Sequence, residues 1–273
     1  MSSKEFKLDT PLPSIFPKSW TEENQDFINF RNLEHFRHVV SGLTQKHDDS
    51  CGISYKDALR KLIRGESDFP EEQQESIRNL VRENLHKRGL ITAEVYENYR
   101  YNVEGTTVGF DVGKYAAGEP DCVITPSVDY IDFFYELYVS ISYAHYVDDS
   151  DVRRNIAKLL ATVEELERRH IFIKVTLVLP VQRVNSDESR CMFSSIPLFS
   201  HKDTKSVKTM SSVVNDRLLR KFYFAVMEDV YGENLSTFYG CATAVEGAMN
   251  VGNEFNEIDM FTRIVEQVGA GSI

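Results

Sequence analysis

Two short runs place flat aromatic rings beside cations: Tyr96-x-x-Tyr99-Arg100-Tyr101 and Arg220-Lys221-Phe222-Tyr223-Phe224. Single-stranded nucleic acid is held by that combination, because bases stack on rings at about 1–3 kcal/mol each while cations follow the phosphates. Duplexes hide their base faces, so the pairing favours single strands. A basic segment surrounds the second run. Residues 201–221 carry Lys202, Lys205, Lys208, Arg217, Arg220 and Lys221 against Asp203 and Asp216, a net of +4. The bland alternative is a helix with Phe222 in the core, Tyr223 partly exposed and the arginines solvated.

Other candidates read better as structure than as chemistry. The stretch 109–121 packs three glycines, a proline and three carboxylates into thirteen residues. Its Gly113-Lys114 echoes a phosphate loop, but three residues separate Gly109 from Gly113 and Tyr115 stands where a Ser or Thr would bind magnesium. The stretch is expected to be a junction that turns the chain from one layer to the next. Glu119 and Asp121 could do acid/base work, yet no His or Lys lies close in sequence, so a structural turn is favoured. Asp148, Asp149 and Asp151 fit a helix N-terminus better than a metal site. His35 and His38 are one helical turn apart and read as surface histidines rather than half a metal site. No GxSxG, HExxH or dinucleotide fingerprint occurs.

The elements that must position these residues follow from composition and periodicity. At 273 residues, 42% apolar and 27% charged, the chain has ample material for a core. Cys51, Cys122, Cys191 and Cys241 lie far apart and are expected to be free thiols. A net charge of −11 argues against non-specific wrapping of duplex DNA. Residues 228–273 alone carry a net of −7, an acidic region that could contact a partner. No membrane-length apolar run or signal-like N-terminus is present, so a cytoplasmic location is expected.

Pro11, Pro13 and Pro17 predict an extended arm over 1–20. Residues 21–95 read as helical. Thr21 caps a helix with Phe27, Phe30, Leu33, Phe36 and Val40 on its apolar face, and Ser54–Asp57 begins a second helix that closes at Gly65. Pro70 opens a third, with Ile77, Leu80, Val81 and Leu85 as its buried stripe and Gly89 as its stop. The core, 96–273, begins with period two: Tyr99 to Val103 and Val108 to Val112 predict a hairpin around Glu104-Gly105. Leu137, Val139 and Ile141 alternate as a strand, Asp148 caps a helix running to Leu166, and Ile171 to Leu179 forms a buried strand ended by Pro180. Strand, helix and buried strand predict a β-α-β unit with a parallel pair. Cys191 to Phe199 is a further strand closed by Pro197, Met210 to Val230 a long helix, and 254–268 the last helix.

The β-α-β unit resembles the opening of a von Willebrand factor A-like domain. The residues that carry this are Leu137-Tyr-Val-Ser-Ile-Ser-Tyr, Asn155-Ile-Ala-Lys-Leu-Leu-Ala-Thr-Val-Glu-Glu-Leu-Glu and Ile171-Phe-Ile-Lys-Val. That family binds a divalent metal through Asp-x-Ser-x-Ser; here Ser140-Ile-Ser142-Tyr-Ala144 lacks the Asp, so no metal or other cofactor is expected. The run from Asp111 to Asp121, with the β-α-β unit and Leu219-Arg-Lys-Phe, resembles an uncharacterised family of bacteriophage proteins over roughly residues 99–231. The resemblance implies phage origin and the host cytoplasm, but no activity.

The fold class expected is therefore α/β: a helical N-terminal region, a β-hairpin and a small Rossmann-like or A-domain-like sheet flanked by helices. The leading functional expectation is a non-enzymatic phage accessory protein that binds single-stranded DNA beside an RNA polymerase or replication protein. Tyr99, Arg100, Tyr101, Lys202, Lys205, Lys208, Arg217, Arg220, Lys221 and Tyr223 would form its contact set. The competing expectation is an A-domain-like adaptor docking another phage protein such as an ATPase. A third is a metal-dependent hydrolase built on Glu119 and Asp121. Further copies of the chain are compatible partners in each case.

Overall fold

The longest β-branched run in the chain becomes the strand around which a sheet assembles. The computed structural model describes residues 25–43, 53–65, 70–91, 99–102, 109–110, 112–118, 123–126, 133–141, 143, 147–184, 189–214, 221–223, 225–226, 229, 241–242, 247–253 and 255–270. In that structure β6 (Ile171–Val184) pairs in parallel with β5 (Phe133–Ser140) and antiparallel with β7 (Ser189–Phe199). The strand order is β1-β7-β6-β5-β9, where β1 is Gln25–Asn29 and β9 is Met249–Asn250; short β8 (Cys241–Ala242) also pairs with β6. Pairs β1–β7, β5–β6 and β5–β9 are parallel, so the sheet is mixed and mostly parallel. The fold is α/β, as the sequence predicts.

Helix α5 (Asp149–Glu167) links β5 to β6 and completes the expected β-α-β unit. Asp148 caps it, accepting the Ser150 N–H at 2.6 Å. That hydrogen bond holds the Asp148 carboxyl below its ordinary range. Helix α3 (Glu71–Lys87) and helix α7 (Glu257–Ala270) pack against α5. Val81 and Leu85 of α3 are buried, whereas Leu80, expected in the same stripe, is exposed. The stripe advances by four residues through Ile77, Val81 and Leu85, and that period rotates Leu80 outward.

Polar contacts tie these three helices together. Arg82 Nε donates to Glu165 at 3.0 Å, while Asn84 and Lys158 both reach the Glu257 carboxylate, at 2.7 and 3.3 Å. Helix α1 (Leu33–Ser41), helix α2 (Tyr55–Arg64) and helix α6 (Val207–Val214) lie on another flank, where Phe222 meets Phe36 and Tyr55 edge-on at 6.4 and 5.4 Å. Helix α2 has the caps its sequence predicts. Ser54 Oγ accepts from Asp57 N at 3.1 Å, and Gly65 ends the helix at φ +60°.

Several expectations change. Residues 25–29 are a strand rather than the start of a helix. Ile28 and Phe30, two apart, are both buried, and Phe30 N donates to Ser195 O at 2.9 Å. Helix α1 begins only after Asn32, whose side chain accepts the His35 N–H at 2.8 Å. Buried Ser195 Oγ donates to its register partner Asn29 at 2.7 Å and pins β1 to β7. Neither proline ends its strand. Pro180 lies beyond the β5 ladder, which stops at Ser140–Val178, and Pro197 follows a bulge at Val175/Thr176 and lies past the β1 ladder. A missing N–H is tolerated at such local edges.

The expected hairpin is instead a three-stranded sheet. β4 (Val123–Pro126) lies between β2 (Tyr99–Asn102) and β3 (Gly109–Phe110), antiparallel to both. The glycine-rich stretch forms β3 and helix α4 (Val112–Ala116), ended at Gly118 with φ +74°, and leads back into β4. It connects strands of one small sheet rather than two layers. Of the expected long helix at 210–230, α6 and helical residues 221–223 are described. The expected arm at 1–20 lies outside the described residues. Cys191 and Cys241 are both register partners of Gln182, on opposite sides of β6. Two strand spacings, about 9.5 Å, exceed disulfide reach.

Gly252 sets the tightest backbone approach. A Cβ there would lie 2.3 Å from Tyr143 Cβ. Gly252→Ala is expected to destabilise the fold by about 1–3 kcal/mol, seen as a fall of roughly 2–4 °C in the thermal midpoint per kcal/mol. A variant melting with the parent would refute this packing.

Burial acts to raise the Glu257 carboxyl, but its own backbone N–H, the Asn84 amide and the Lys158 ammonium together hold it below its ordinary range. A depressed carboxyl contributes stability above its unfolded pKa of about 4.3, lost as pH falls through the folded value. The thermal advantage of the parent over Glu257→Gln should be full at neutral pH and vanish in acid. A pH-independent difference between their melting curves counts against this role.

Candidate interaction surface

Phe134 is 59% exposed, at the start of β5, which β9 joins only at Val139 and Ser140. Its register partner Phe172 on β6 stacks on it, with ring centroids 6.0 Å apart and planes at 29°. His201, just after β7, meets Phe134 edge-on at 5.1 Å, and His170 meets Phe172 edge-on at 6.2 Å. Two strands, the α5–β6 turn and the loop after β7 thus converge on one four-ring array. Alternation explains why it is open. Phe133, Tyr135 and Leu137 turn toward the helices that bury β5, so Phe134 points to the opposite face.

His170 carries a φ of +61°, the one positive value among described non-glycine residues. The α5–β6 turn imposes it: His170 N donates to Glu167 O at 3.0 Å, and Phe133 N donates to His170 O at 2.9 Å. Glycine is the usual occupant of such a position after a helix. Here a left-handed histidine edges the half-buried Phe172 ring that backs Phe134, strain of the kind found at functional surfaces.

Beside the array, a cleft of about 570 Å³ opens between α3, α5 and the loop 200–206, with Phe172 and His201 in its wall. Its charges are largely paired. Lys205 forms an ion pair with Glu167 and donates to His201 O at 3.0 Å. Arg78 pairs with Glu164 at 2.8 Å and with Glu75. Asp203 accepts the Ser200 N–H at 2.7 Å, which holds its carboxyl low. Near Phe134, Lys174 and Glu136 pair at 2.8 Å. Burial acts to raise Glu136, but the Lys174, Tyr138 and Thr176 contacts outweigh it and hold the carboxyl low. Among the described residues lining the cleft, Lys202 is the cation that forms no ion pair.

The residues predicted to hold nucleic acid are spread over several elements where they are described. Tyr99, Arg100 and Tyr101 lie on β2, an edge strand of the small sheet. Lys202 and Lys205 flank the cleft, and Lys208 lies on α6. Arg217 and Arg220 lie outside the described residues, as do Glu119 and Asp121. Lys221 and Tyr223 require correction. They are 2% and 1% exposed, and Tyr223 Oη donates to Leu179 O at 3.4 Å. Burial pushes that phenol far above its ordinary range. Neither residue can meet a base, because their helical turn is packed into the core beside Phe222.

His35 Nδ1 accepts the Arg31 N–H at 3.2 Å, and burial, then Arg31, push its pKa down. Beyond the carboxyl ends of β5 and β9, where open α/β sheets commonly bind ligands, the two chain segments close in until Gly252 lies against Tyr143. Among the described residues no three His, Cys, Asp or Glu side chains come together as a metal site.

Sequence reasoning missed Phe134, Phe172, His170 and His201. The available signal was alternation: Phe134 falls between Phe133 and Tyr135, on the face opposite the core. Replacing His170 by glycine should relieve the left-handed backbone and raise stability by up to about 1 kcal/mol. Differential melting of parent and His170→Gly checks this; a destabilised variant would show that the imidazole supports the fold instead.

No described helix is long and apolar enough to cross a membrane. No curated protein and no solved structure matches the chain. One family does, over residues 15–262, a span containing every element of the large sheet and the start of α7. The chain belongs to the family described as a domain of unknown function, DUF7192.

Proposed function

We propose that this protein is a non-enzymatic adaptor that docks another protein on the Phe134 array. The exposed Phe134 ring carries the reading. A large apolar ring backed by a second ring, bordered by histidines and rimmed by paired charges, has the make-up of a binding hot spot: an anchor that excludes water within a polar rim. The paired charges also favour a protein over a polyanion, because a phosphate backbone needs uncompensated cations. The order β7-β6-β5-β9, with β7 antiparallel, is compatible with an A-domain-like core whose metal site has lost its carboxylate. On that reading the partner is another phage protein, an ATPase being the class the resemblance implies.

A second reading, single-stranded DNA binding beside a phage RNA polymerase or replication protein, is favoured by one observation. Lys202, without an ion pair, stands next to His201 at the edge of the stacked rings. Bases stacking on Phe134 could then place phosphates near Lys202.

One pair of measurements separates the readings. Capture from host extract on the immobilised full chain should yield one stoichiometric protein that survives nuclease treatment. Phe134→Ser should weaken capture at least about tenfold, a loss of about 1.4 kcal/mol, without lowering the thermal midpoint, since the ring is exposed. Capture untouched by Phe134→Ser overturns the adaptor surface. Salt-sensitive anisotropy with single-stranded but not duplex oligonucleotides, lost in Lys202→Glu, would instead establish the second reading.

A further inference from the structure

We propose that the protein self-associates by seating the basic outer stripe of α2 in one copy against the acidic outer stripe of α3 in another. On α2, Ala58 and Leu62 enter the core, while Lys56, Arg60, Ile63 and Arg64 are exposed. Residues three and four apart lie on one helix face, so these side chains form a continuous stripe. Ile63, 55% exposed, is its aliphatic centre.

Helix α3 presents the complement. Val81 and Leu85 are buried, and a shallow depression on its outer side is lined by Glu72, Glu75, Ser76, Asn79, Leu80 and Glu83. Leu80, 45% exposed, lies toward its C-terminal end, near Glu83. Each stripe therefore joins an exposed aliphatic group to an excess of charge of one sign, and the signs are opposite; Asp57 on α2 and Arg78 and Lys87 on α3 offset part of it. One chain carries both halves of the match, which makes a second copy the occupant that satisfies both stripes together. Reciprocal use of the two stripes closes a pair, and unreciprocated use extends a chain.

Three of these charges already have partners. Arg60 pairs with Asp57, Glu75 with Arg78 and Glu83 with Lys87, each on its own helix. Exposed pairs of this kind are weak and exchange readily. The net charge of −11 repels copies at long range, but screening at physiological salt removes most of that beyond about 8 Å. Charges brought into contact are screened less, so local complementarity decides. This contact uses residues distinct from the Phe134 array and stands independently of the adaptor reading.

Sedimentation equilibrium of the full chain, from low to high micromolar concentration, tests it. The average mass of the parent should rise with concentration and fall back in high salt. Arg60→Glu with Arg64→Glu, and separately Glu72→Lys with Glu83→Lys, should each weaken association at least about tenfold. Combining all four reversals should restore it. Ile63→Ser and Leu80→Ser supply neutral variants, with melting curves confirming that each folds. A parent that stays monomeric throughout, association that ignores either reversal, or a combined variant that fails to regain it would each overturn the proposal.

Discussion

A strand with neighbours on both sides has most of its peptide groups spoken for, and β6 is that strand. It pairs with β5 over Ile171–Val178 and, on its other edge, with β7 over Val175–Val184, and at Val181 and Gln182 the place of β5 passes to β8. Ile173, Val175 and Leu177 are fully buried beneath the helices, so the strand is held by its ladder and by its apolar face together. A buried backbone cannot fall back on water for its hydrogen bonds. The positions of β5, β7 and α5 are thus all consequences of satisfying β6. The Phe134 array inherits its geometry from the same ladder, since Phe134 and Phe172 are stacked only because they are register partners.

Much of this was legible in the residues, and what was not shares one cause. Ser54, Gly65 and Asp148 announced helix ends because a cap is a local hydrogen bond, readable from neighbours in sequence. Leu137 to Leu179 announced a parallel pair because a long apolar run needs cover on both faces. By contrast, nothing local marks β1: Phe27, Phe30 and Leu33 fit a helical period, while the partner that makes Gln25–Asn29 a strand lies far along the chain at Cys191 to Ser195. Pro180 and Pro197 were read as ends because a single strand does not reveal where its neighbours stop.

The candidate site shows the same division. Lys221 and Tyr223 have the residue types of a nucleic-acid contact, but the face on which their turn is packed buries both. Phe134 has the residue type of a core position, and alternation turns it outward. Type and spacing named the chemistry available to each side chain; only the long-range packing selected which of them meets solvent.

The contact between Asn29 and Ser195 spans 166 residues of chain. Long-range pairing of this kind slows folding, because the loop must close before the contact rewards it. During synthesis at about 5–20 residues per second, β1 leaves the ribosome on the order of ten seconds before its partner strand exists. The first strand of the sheet made is therefore among the last to find its place. In the interval Ile28 and Phe30, buried in the finished sheet, lack their cover.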